Sequence, residues 1–171
     1  MLARERVELT DETLAGAKQP YHAIEGLPLP AARARLAAFR ESAGALAGRA
    51  VSALMGTART AGIEPIAAGI LDSSGRDPGA LEAILASHAL IHTADGNHFR
   101  EALAAACVSL GLPCARIRQR DLAGEAGRAL KRTPRELTAE VARLGREART
   151  PWGADQKGAA LLAWLLLARG V

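Results

Sequence analysis

The chain has little aromatic material, almost no lysine, two cysteines and no long apolar run. Phe, Trp and Tyr make up 3% of 171 residues. The core therefore has to be built from Ala, Leu, Ile and Val, whose small side chains let helices approach closely. Lysine occurs three times against a total of 22 basic residues, so arginine carries the positive charge. This is read first as a coding bias of the source genome. The two cysteines, Cys107 and Cys114, are seven apart and form no CxxC pair. A thioredoxin-type redox site is excluded at the level of motif, and two reduced, buried thiols are expected. The longest apolar run, Ala160 to Ala168, is far short of the ~20 residues a bilayer span needs. The start, MLARERVELTDE, is charged and lacks the apolar stretch of a secretory signal. The expectation is a bacterial cytoplasmic protein with no membrane partner.

What is present suits one globular domain. Hydrophobic residues make up 49% and charged residues 23%, near the globular average. A net charge of +4 permits an anionic partner. The arginines are spread along the chain rather than gathered on one stretch, so nucleic acid is not the favoured partner.

Residues 1–30 read as an irregular strap broken by Pro20, Gly26, Pro28 and Pro30, with Tyr21 and Ile24 as its anchors. Residues 31–61 read as a long helix, with Leu36, Phe39, Leu46, Val51 and Leu54 near one stripe and Gly62 as its stop. IEPIAAGIL, residues 63–71, reads as a buried strand, and SSGRDPG as a loop. LEAILAS reads as a short helix. ALIHT reads as a second strand, ADGN as a turn, and His98 to Leu110 as a helix capped by Gly111 and stopped by Pro113. CARIRQRD reads as a third strand. TPRE, Thr133 to Glu136, has the form of a capping box that opens a helix. A last helix, Ala154 to Arg169, carries apolar residues most of the way round, which predicts burial on more than one side. The order strand, helix, strand, helix, strand across 63–120 predicts an α/β fold: a small, largely parallel sheet of three or more strands flanked by long helices.

The chemistry gathers in SHALIHTADGNHFREAL. Three of the four histidines, His88, His92 and His98, fall inside it, with Asp95 and Gly96 between the second and third. If ALIHT is a strand, then Thr93, Asp95, Asn97 and His98 stand at its carboxyl end, where ligands bind in open α/β sheets. Free amides at the following helix start would add an anion site. Ser73, Ser74 and Arg76, after the preceding strand, would open on the same edge as donors to phosphate or carboxylate. Asp155 and Lys157, at the start of the last helix, would stand at the mouth of the same cleft. The alternative for each is plainer: caps, turns and solvated charge. The alternating Arg116, Arg118 and Arg120 fit a strand edge kept from aggregation by charge, or one that meets phosphates.

The leading expectation is thus a small anionic ligand held at the sheet edge by Ser73, Ser74, Arg76, His92, Thr93, Asp95 and His98, with Asn97 and Lys157 beside them. His92 or His98 would be the acid–base group, because imidazole titrates near neutral pH. A zinc site is the sharper alternative, with His88, His92 and either Asp95 or His98 as ligands, although no HExxH or Cys/His pattern accompanies it. A structural or interaction protein, such as a homodimer across the long first helix, is a further alternative in which the polar cluster is only caps and turns.

ASHALIHTADGNHFREAL together with PWGADQKGAALLAW resembles a small uncharacterised bacterial protein family, from which no activity carries over. More distantly, residues 80–170 resemble the Holliday-junction resolvase branch of the RNase H-like superfamily. That resemblance implies a nuclease in which Asp95 and Asp155 match two metal-holding acids and LGLPCARIRQRD the strand between them. Mg²⁺ would be the cofactor, positioning a water and stabilising the leaving oxygen. The superfamily opens on an antiparallel meander carrying another acid, whereas residues 1–61 here read as a strap and a helix.

Overall fold

The computed structural model describes residues 5–73, 78–148 and 151–170. It is mainly helical. A strap over residues 5–28, with one 3-10 turn at His22–Ile24, leads into α1 (Leu29–Thr60). There follow β1 (Ala68–Asp72), α2 (Leu81–Leu85), α3 (His88–Ser109), β2 (Cys114–Arg118), α4 (Gln119–Leu130), α5 (Pro134–Ala148) and α6 (Ala154–Arg169).

The sheet has two strands among the described residues, not three or more. β1 and β2 run parallel, with Ala68 opposite Cys114 and Asp72 opposite Arg118. The missing strand is ALIHT, which lies wholly inside α3. The reason is periodicity and composition. Ile91, Ala94 and His98 recur at helical spacing and are all buried, while alanines supply helix propensity around them. Gly96 does not break the helix. It faces outward, where an added Cβ would meet only the Arg100 side chain. An interior glycine costs about 1 kcal/mol, and burying Ile91 alone contributes about 1.5–3 kcal/mol. Burial wins and α3 runs through the supposed ADGN turn.

Other expectations shift more gently. The first strand begins at Ala68 rather than Ile63, and QRD of the supposed third strand is the first turn of α4. Arg120 therefore leaves the alternating stripe. Arg116 is not a free edge charge but a forked partner of Asp72, with Nη2 2.8 Å from Oδ1. The buried stripe of α1 is Ala32, Leu36, Phe39, Ala43, Ala47 and Met55; Leu54 is 44% exposed. Several elements stand as expected. Gly62 and Gly111 end α1 and α3 in left-handed conformations (φ +75° and +76°), and the amide of Leu112 closes the second end on Cys107 O at 2.9 Å. Thr133 and Glu136 form the capping box of α5, each accepting the other's backbone amide.

Three apolar clusters result. One lies under the strap and joins Tyr21, Ile24, Phe39, Ile84 and Ile91. One lies between the sheet and α4–α6 around Ile117, Leu137, Leu162 and Leu165. A small one joins Met55, Cys107 and Leu112 below the other sheet face. Among the described residues no helix is long and apolar enough to cross a membrane.

Candidate functional site

The strap is fixed before it does anything else. Ile24 is fully buried and Tyr21 nearly so. Arg40 of α1 donates to the Tyr21 hydroxyl at 3.1 Å, Ser42 to Asp11 at 3.1 Å, and Arg35 to the Ala15 carbonyl at 2.8 Å. These contacts lay residues 10–24 across α1 and α3.

That path delivers His22 to the start of α3. His88 and His92 are four apart and share one face of the helix. Their Nε2 atoms lie 3.1 Å apart. The His22 ring centre lies 5.3 Å from that of His88 and 4.6 Å from that of His92. One nitrogen from each of the three rings falls within 4.8 Å of the others, and no other cluster of potential metal ligands occurs among the described residues. His88 and His92 are exposed and His22 is partly buried, so the cluster is open on its solvent side.

Asp95, one turn beyond His92, completes the arrangement from below. Its Oδ2 lies 2.5 Å from His22 Nδ1, and its Oδ1 accepts the Tyr21 amide at 2.7 Å. With Nδ1 committed to the carboxylate, His22 is left with Nε2 for another partner. This is how metal-ligating histidines are usually oriented.

His98 lies farther along the same stripe and does something different. It is 3% exposed, between the rings of Tyr21 and Phe99, and its Nε2 makes no hydrogen bond among the described residues. Burial pushes its pKa below the usual imidazole value, and the nearby Arg40 charge pushes the same way. Its buried imidazole takes up a proton less readily than a free histidine's.

The remaining predicted residues do not gather here. Thr93 donates back to Ala89 O within α3. Ser73, at the end of β1, donates to Asn97 at 3.2 Å and ties the strand to α3. Ser74 and Arg76 lie outside the described residues. Asp155 and Lys157 sit in the first turn of α6, and Asp155 lines a cleft against α5 to which α3 contributes nothing. The cysteines play no part: burial pushes the Cys107 thiol up to about 11, aided by Cys114 beside it.

His88, His92 and Asp95 were candidates from the sequence, and His22, which the structure brings beside them, was not among them. The signal for His88, His92 and Asp95 was their clustering in one short stretch, which reads from sequence alone as a strand and a turn rather than as one helix face. For His22 the signal was weaker: the remaining histidine, next to the tyrosine expected to pin the strap.

Compared with known proteins, the chain matches no family model, no curated protein and no solved structure.

Proposed function

We propose that this is a metal-binding protein whose centre is a three-histidine site, His22, His88 and His92, with zinc as the best-fitting ion. The observation that carries the reading is the convergence of three imidazoles from two distant segments, with the Nδ1 of one committed to Asp95. In a tetrahedral site with Zn–N bonds of about 2.0–2.1 Å, ligand nitrogens lie ~3.3 Å apart. The 3.1 Å between His88 and His92 is close to that value, and a rotation of exposed rings brings the third nitrogen in.

Three nitrogens leave one tetrahedral position, and the open solvent side supplies room for its occupant. Three neutral imidazoles do not cancel a dication's charge, so an anion or a water that gives up its proton is the natural fourth ligand. A small anionic ligand thus fits, bound through the metal rather than at a sheet edge. An ion held by His22, His88 and His92 would supply Lewis-acid chemistry to whatever occupies the open side.

The test is metal titration after chelator treatment, with Zn²⁺ by calorimetry and Co²⁺ by its visible spectrum. The expected result is one ion per chain with a tetrahedral cobalt spectrum, and the loss or strong weakening of binding in each of His22→Ala, His88→Ala and His92→Ala. Equal binding by the parent and His22→Ala would overturn the reading.

A further inference from the structure

α6 is apolar on more sides than the molecule uses. Leu162, Leu165 and Leu166 are buried against the sheet and α4. Ala159, Ala163 and Leu167 are exposed, Leu167 to 66%, and Trp164 is half-buried, packed in part against the same cluster. An apolar surface of this kind on a helix normally has something against it. Here it forms one wall of a cleft of about 960 Å³, whose other wall is α5. That volume lies at the upper end of the range for small-molecule sites, about 300–1,000 Å³.

Two features give the cleft a chemical preference. Both tryptophans of the chain line it. Trp152 is held in place: its indole N–H donates to Val141 O at 3.0 Å, and its ring lies against Gly145, where a side chain would collide with it. The charge around the cleft is also one-sided. Among the described residues, Glu5, Glu140, Glu147 and Asp155 line it with one cation, Arg143. Arg143 is itself held between Glu140 (2.8 Å) and Glu147 (2.5 Å). Among the described lining residues, carboxylates therefore outnumber cations four to one. A wholly apolar guest would bury the indoles but leave Glu5 and Asp155, which have no ion-pair partner among the described residues, unanswered. A cation answers the acids and is attracted to indole faces.

We propose that the α5–α6 cleft binds a small amphipathic organic cation, a protonated amine or guanidinium carried on an apolar body. The apolar part lies along Trp164, Leu167 and the alanines of α6, and the charged end reaches Asp155 and the glutamates of α5. The site shares no residue with the histidine cluster and does not depend on a metal.

The test uses 3-phenylpropylamine, with 3-phenylpropanol and 3-phenylpropionate as its neutral and anionic counterparts, on chelator-treated full-length protein. Because both tryptophans line the cleft, their fluorescence reports binding directly. The expected result is a saturable change with the amine, at least about tenfold tighter than with the alcohol, and none with the acid. Asp155→Asn, an exposed change that leaves the fold in place, should reduce the amine's advantage. Trp164→Leu, read by calorimetry after circular dichroism shows it folded, should abolish binding. Equal affinity for amine and alcohol, or no saturable change with the amine, would overturn the proposal.

Discussion

Asp95 Oδ2 lies 2.5 Å from Nδ1 of His22, across 73 residues of sequence. The same carboxylate accepts the amide of Tyr21 at 2.7 Å, so one acid fixes both the position of the strap and the tautomer of its histidine.

Asp95→Asn separates these two duties. The amide oxygen can still accept from Tyr21. Its NH₂ group donates where the carboxylate accepted, which drives the His22 proton from Nδ1 to Nε2, the nitrogen needed for the metal. Zinc affinity should fall about 10–100-fold, with little change in thermal stability without metal. Calorimetric titration of both proteins checks it. Unchanged affinity would show that the carboxylate has no role in orienting the ligand.

His98 should make the metal-free protein acid-sensitive. Its folded pKa is depressed by burial and by Arg40, so the unfolded chain binds its proton more readily. The stability this contributes is complete above about 6.5, the unfolded value. It is lost as the pH falls from there through the folded value, because the unfolded state then takes up the proton first. Urea unfolding between pH 7.5 and 5 should show the slope, and His98→Leu should flatten it. A slope of the same size in the variant would place the acid sensitivity elsewhere.

Gly69 sits where β1 meets α6. An added Cβ would lie 2.7 Å from both Cγ and Cδ2 of Leu162 and 3.1 Å from Leu166 Cδ1. Leu162 is itself buried and has little room to move. Gly69→Ala should cost about 1–3 kcal/mol, the usual range for overpacking. Denaturant midpoints with an unchanged slope would measure it, and a neutral result would mean that α6 shifts freely on the sheet.

Much of the architecture was legible in local sequence. The start of α5 followed from TPRE and the extent of α6 from the apolar run after Asp155, because caps and periodicity act within a few residues. Gly62 and Gly111 marked their helix ends for the same reason. The two short strands were found in outline: β1 lies in an apolar run ahead of a turn-rich loop, and β2 follows the Gly111–Pro113 helix stop, alternating apolar residues with arginines. The strand assigned to ALIHT failed because five residues cannot distinguish a buried strand from one turn and a half of a buried helix. What decided it was the partner: α1 and the strap offer a helix-shaped apolar surface to Ile91, Ala94 and His98.

The sequence by itself determined that His88, His92 and Asp95 share a face once their segment is a helix, since 3.6 residues per turn allow nothing else. It also determined the composition of the core and the positions of most helix ends. Only the tertiary structure decided that His22 joins that face. The meeting depends on the burial of Tyr21 and Ile24 beneath the strap, on the hold of Arg40 and Ser42 upon it, and on the closure of a long loop. Such closure is governed by the sum of packing over the whole strap, which no spacing rule within the sequence records.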